Sequence, residues 1–177
     1  MRSNKYSTRA RVRYLCQAAI IAALYTILTC VVGAFGLASG AIQIRLSEAL
    51  CILPLFMPAA VPGLGVGCLV ANLLFSPAPA DLIFGTLATV LGAIGCRLIG
   101  RVWHSGKLPN LIVGTLPNVV ANTVIVPLVL RYAYGLEDAL WLLAAQVGAG
   151  ELISGTVLGV LLALALPRRI WDGRASL

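Results

Sequence analysis

The sequence predicts an all-α membrane protein, a single bundle of about six transmembrane helices. Three observations predict it. The 177 residues are 60% hydrophobic and only 11% charged. Their mean hydropathy is +0.97, which leaves too little polar surface to cover a soluble globule. The apolar runs recur with short breaks from Tyr14 to Leu166, and each is close to the length that crosses a bilayer as a helix.

The elements follow in order. Residues 1–13 form a basic N-terminus, and the first span is Tyr14–Phe35. That run exceeds a signal-peptide core and no small-residue cleavage site follows it, so it is expected to remain as an anchor. The second and third spans, Leu46–Pro62 and Gly63–Phe75, are short. They share the turn Met57-Pro58-Ala59-Ala60-Val61-Pro62-Gly63, where two prolines and a glycine are expected to break a helix. The fourth is Asp81–Gly100, the fifth Asn110–Tyr132 and the sixth Leu140–Leu166, followed by a basic tail at 167–177. Residues 1–177 thus read as one integral membrane domain.

Lysine and arginine set the orientation. Arg2, Lys5, Arg9, Arg11 and Arg13 precede the first span, Arg97, Arg101 and Lys107 lie between the fourth and fifth, and Arg168, Arg169 and Arg174 follow the sixth. Six crossings put all three clusters on one side and leave Arg45 and Arg131 on the other. The positive-inside rule then places both termini of this multi-pass chain in the cytoplasm. Topology and lipid headgroups account for the net charge of +7 without a nucleic-acid partner. Trp103, Trp141, Trp171, Tyr14 and Tyr132 fall near span ends, as interfacial aromatics do.

The materials for catalysis are sparse. The single histidine, His104, sits in a basic loop, and no GxxxxGK[ST] phosphate loop occurs, so neither a serine–histidine pair nor P-loop ATP hydrolysis is expected of this chain. Cys16, Cys30, Cys51, Cys68 and Cys96 lack CxxC spacing and neighbouring histidines; they read as core residues, with no metal site and no cofactor expected. Small residues recur at every fourth position in Ala18/Ala22 and Ala19/Ala23 of the first span, Gly63/Gly67/Ala71 of the third and Gly155/Gly159/Ala163 of the sixth. Such stripes let helices approach closely in lipid, either within one bundle or against another protein. The first span carries no intramembrane charge or amide to turn it inward beyond Gln17, so its alanines are a candidate docking face.

Two glutamates, Glu48 and Glu151, lie inside apolar runs. A carboxylate held in hydrocarbon faces a partner, a water-filled cavity or a ligand. A rise of about 1.5 Å per residue puts Arg45 near the outer surface, Glu48 one turn below it, Asn72 and Asp81 at the outer ends of the third and fourth spans, and Asn118, Asn122 and Glu151 from the middle outward. These polar groups are thereby expected in the outer half, over an apolar inner half. Gly148 and Gly155 flank Glu151 and clear space on its face, and Ser154 adds a donor. Plainer readings stand beside this one: an Arg45–Glu48 ion pair, a protonated Glu151 hydrogen-bonded across helices, and asparagines that join helices.

The runs Ala41-Ile42-Gln43-Ile44-Arg45-Leu46-Ser47-Glu48-Ala49-Leu50, Leu53-Pro54-Leu55-Phe56, Val61-Pro62-Gly63-Leu64 and Ala71-Asn72-Leu73-Leu74 resemble the QueT family. So do Asp81-Leu82-Ile83-Phe84-Gly85-Thr86 and Gly148-Ala149-Gly150-Glu151-Leu152-Ile153. The likeness extends from about Ala10 to Leu166. It implies the six-helix fold of an S component, the substrate-binding subunit of an energy-coupling factor transporter, importing a queuosine precursor. It also implies a transmembrane coupling protein and two cytoplasmic ATPase subunits as partners, the former docking on an alanine face of the first helix that Ala18, Ala19, Ala22 and Ala23 match. A 7-deazaguanine presents paired N–H donors that a carboxylate accepts, and its aminomethyl form adds an ammonium for a second one. On this reading Glu48, Glu151, Arg45, Asn72, Asp81, Asn118 and Asn122 form the substrate site. The alternatives are a lone proton-coupled transporter of a small cationic or nucleobase-like solute and a structural membrane protein.

Overall fold

The computed structural model describes residues 3–34, 45–75, 79–103 and 107–167. Arg2, Ala41, Ile42, Gln43, Ile44, His104, Arg168, Arg169, Trp171 and Arg174 lie outside the described residues, as does the side chain of Lys5.

At the centre stands a ten-residue 3-10 helix, Leu46–Leu55, in which all but Leu46 and Ala49 are buried. A 3-10 helix rises about 2 Å per residue, so these few residues traverse about 20 Å of the bundle. An apolar segment with no polar face has to be covered on every side. Five helices cover it: α1 (Ser3–Ala34), α2 (Ala60–Phe75), α3 (Asp81–Val102), α4 (Leu108–Tyr132) and α5 (Leu140–Ala165). All five touch it. At its far end Arg97 of α3 donates Nη1 to the Pro54 and Leu55 carbonyls, both at 3.4 Å, which supplies a donor to a helix terminus that lacks them.

Four helices are long and apolar enough to cross a membrane: Thr8–Ala34, Asp81–Val102, Leu108–Tyr132 and Leu140–Ala165. They agree with the first, fourth, fifth and sixth predicted spans, except that α1 begins at Ser3, within the basic segment assigned to residues 1–13. The second span is shorter than expected and is not α-helical. The third begins at Ala60, inside the expected turn, because Pro62 falls in its first turn, where a helix has no use for the missing N–H.

Contacts between small residues fix the directions. A Cβ at Gly63 would meet Ala18 and Ile21, and one at Gly67 would meet Ala22 and Tyr25, so α2 runs parallel to α1. Asn72 lies beside Gly85 and Cys68 beside Thr89; Gly92 lies against Asn118; Thr115 bonds Thr156 and Asn118 bonds Glu151. Each of α3, α4 and α5 therefore runs against the helix before it. The start of α1 and the end of α5 lie at the same end of the bundle, together with Leu55.

The Ala18/Ala22 stripe is thus an internal contact, whereas Ala19 and Ala23 are exposed on the other face of α1. Cys16 and Cys30 share that exposed face, which corrects their reading as core residues; Cys51, Cys68 and Cys96 are buried. Exposed Trp103, Tyr132 and Trp141 mark helix ends.

Candidate functional site

The buried polar groups meet at one asparagine. Asn118 is halfway along α4, ten residues from Leu108 and fourteen from Tyr132. Its Nδ2 donates one hydrogen to Glu48 Oε2 at 3.0 Å and the other to Glu151 Oε2 at 3.1 Å. Ionised carboxylates are acceptors only, so the amide must face them nitrogen-first. Its oxygen is turned toward Gly92 and has no partner among the described residues.

The irregular helices aim these groups. In a 3-10 helix residues three apart eclipse each other, which sets Cys51 directly after Glu48 in one row. The Cys51 thiol donates to Glu48 Oε2 at 3.1 Å, and Tyr25 of α1 donates its hydroxyl to Glu48 Oε1 at 2.6 Å. Glu151 ends the α-helical part of α5, and a π-helical stretch, Leu152–Leu158, follows at once. Wide turns of this kind collect at functional sites in helices. Here the stretch carries Ser154, whose Oγ accepts the Arg45 backbone N–H at 3.1 Å, and Thr156, which donates to Thr115 at 2.9 Å because the Thr115 hydrogen goes to the Ile112 carbonyl.

Glu48 is 1% exposed, Asn118 0% and Glu151 7%, so two carboxylates share one amide away from solvent. Two such charges side by side call for a cation or a proton. The half-buried Arg45 is close enough for its charge to act on both, yet no ion pair joins it to Glu48 among the described residues. In place of an Arg45–Glu48 bridge, Glu48 is held by donors from α1, from α4 and from its own 3-10 helix.

The structure divides the expected set of site residues. Glu48, Glu151 and Asn118 come together at mid-depth, with Arg45 alongside. Asn122, one turn nearer Tyr132, donates its amide to the Asn118 carbonyl at 3.2 Å and also stands within reach of the Glu151 carboxylate. Asn72 and Asp81 form a separate link at the rim: the Asn72 amide donates to the Asp81 carbonyl at 2.9 Å, and Tyr134 donates to the Asp81 carboxylate at 2.5 Å. The polar groups expected in one half are thus divided between a central junction and a rim clasp.

Tyr25 is the residue that sequence reasoning missed, and with it the inward anchor of α1. A signal existed, since Ala18, Ala22 and Tyr25 lie on one helical face. A groove of about 480 Å³ between α3 and α4 is lined by Leu91, Ile99, Val113, Leu116, Pro117, Val120 and Ala121. With no polar group in its walls it has nothing to orient a ligand, and the chemistry lies at the junction instead.

Residues 15–168 match the family model described as QueT transporter. No curated protein and no solved structure matches the chain.

Proposed function

The chain belongs to the QueT transporter family, and from that premise we propose that it is the substrate-binding membrane subunit of an ATP-driven energy-coupling factor transporter. Its cargo on this reading is a queuosine precursor: a 7-deazaguanine such as 7-aminomethyl-7-deazaguanine, or queuine or queuosine. The single observation that supports this most is the pair of buried carboxylates bridged by Asn118. A deazaguanine edge offers adjacent ring N–H and amino donors to a carboxylate, and an ammonium offsets the second negative charge that the junction holds.

The reading places the Arg45 end outside the cell and the Leu55 end, with both termini, in the cytoplasm, in line with the positive-inside rule. Ligand enters from the Arg45 end. Leu55, Ile52, Cys96, Leu111 and Ala163 pack without polar groups beneath it, so a rigid chain has no exit path, and reorientation of the whole subunit by partner ATPases answers that need. The same apolar layer speaks against lone proton coupling, which needs a polar route through the inner half. The coupling protein docks on α1, where Ala19 and Ala23 remain exposed while Ala18 and Ala22 are taken by α2. The chain itself acts as a binder and not as an enzyme.

Thermal-shift titration of the purified chain against purines and 7-deazapurines tests the proposal, since whatever binds the folded state raises its melting temperature. A dose-dependent rise with a 7-deazaguanine and none with adenine is expected. No rise with any member of the panel would overturn it.

A further inference from the structure

We infer that the two glutamates divide the work of the site: Glu151 is the carboxylate that meets the ligand, and Glu48, clamped by Tyr25 and Cys51, positions it through the Asn118 amide. The inference rests on the binding role proposed above and assigns its parts.

The acceptors carry the argument. A carboxylate has about four lone-pair sites. Glu48 receives three donors, from the Tyr25 hydroxyl on one oxygen and from the Cys51 thiol and Asn118 amide on the other, and it is the more deeply buried of the two. Reaching it would require a ligand to displace groups already bonded. Glu151 receives one close donor, on Oε2 from Asn118, with the Asn122 amide as a second group within reach of its carboxylate. With fewer close donors and more exposure than Glu48, Glu151 is the carboxylate that keeps acceptor capacity for a ligand.

Space agrees with the bonding. The nearest neighbours of a Cβ placed on Gly155 would be Glu151 Oε2 at 3.5 Å and Asn118 Nδ2 at 3.7 Å, so the glycine keeps a carbon-sized opening over the amide–carboxylate contact. A donor group approaching there would meet the Oε2 side of the Glu151 carboxylate first. The ligand thus completes the Glu151 carboxylate, while Asn118, pulled straight by Glu48, stops it from turning away. Tyr25 becomes a positioning residue, and α1 stands three hydrogen bonds from Glu151: Tyr25 donates to Glu48, and Asn118 donates to both Glu48 and Glu151.

Two measurements on the intact purified chain test this. The first needs no ligand. Carbodiimide-driven amidation with a small amine, read by peptide mass spectrometry, should modify Glu151 faster than Glu48, and Tyr25→Phe should speed the reaction at Glu48. Equal or faster modification of Glu48 in the parent overturns the assignment.

The second is calorimetric titration with 7-aminomethyl-7-deazaguanine. Glu151→Gln should lose the most affinity. Tyr25→Phe should lose roughly three- to tenfold, as one hydrogen bond acting indirectly would. In a Glu48→Ala background the Tyr25 change should cost nothing further, because the link from Tyr25 to Asn118 is gone. Losses that add would overturn the positioning role, and so would full affinity in Glu151→Gln. Cys51→Ala gives the same readout should Tyr25→Phe fold poorly. A parent that binds no deazaguanine would sink the substrate reading, while the amidation rates would still decide between the glutamates.

Discussion

Around Leu55 the helices close on one another, and around Glu151 they stand apart, although glycines line both places. A Cβ at Gly100 would overlap the Leu55 backbone, and one at Gly114 would overlap its side chain, so at this end glycine serves close approach. At the other, a Cβ on Gly148 would find Thr123 at 3.3 Å and one on Gly155 would find only polar atoms at 3.5 Å and beyond, so glycine leaves room. The first half is a seal of buried apolar side chains bordered by Arg97; the second is a polar junction in which Asn118 Oδ1 has no partner among the described residues. One small residue type thus serves two ends: a protein that binds on one side must be shut on the other.

Substitution at the glycines breaks the comparison most sharply. Gly100→Val forces a branched side chain into the Leu55 backbone and should cost about 3 kcal/mol or more, enough to lower the yield of folded protein. Gly155→Ala should change stability by less than about 0.5 kcal/mol, yet weaken ligand binding by narrowing the opening. Melting temperatures in detergent, read beside a binding titration, separate the two.

The glutamates give the next effect. Glu151→Gln turns an acceptor pair into an amide that must present donors, and should lose roughly 1.5–3 kcal/mol of binding, about tenfold to a few hundredfold. Glu48→Gln should lose less affinity and more stability, because one end of an amide there turns N–H groups on donors that the carboxylate accepted. If both variants bind and melt like the parent, the junction only joins helices.

The smallest effect lies on α1, where two alanine stripes one residue apart face different ways. Ala22→Leu presses on Gly67 and should destabilise the fold by about 1–3 kcal/mol. Ala19→Leu should leave melting temperature and ligand affinity unchanged and prevent co-purification with a coupling protein. Equal destabilisation by both would contradict the assignment of their faces.

Much of this was legible in the residues. Length and hydropathy located four spans to within a few residues except at the start of α1, and the cost of buried charge singled out Glu48, Glu151 and Asn118. The central 3-10 helix was not legible as such, because a segment buried on all sides shows no periodicity to distinguish a regular crossing from a core post. Tyr25 escaped notice because an aromatic hydroxyl in an apolar run reads as interface or core until its partner is placed. Asn72 and Asp81 were put at the right depth, but depth counted along separate helices says nothing of lateral distance. The two alanine stripes could be told apart only once Gly63 and Gly67 were seen to occupy one of them.

The claim that one half binds while the other seals is tested most directly by transport in proteoliposomes. The purified chain alone should retain 7-aminomethyl-7-deazaguanine at its site and move none across the bilayer, with or without a proton gradient, and accumulation should begin only when a coupling protein and its ATPases are reconstituted with it and ATP is supplied. Accumulation by the chain alone, driven by a proton gradient and lost in Glu151→Gln, would contradict the account.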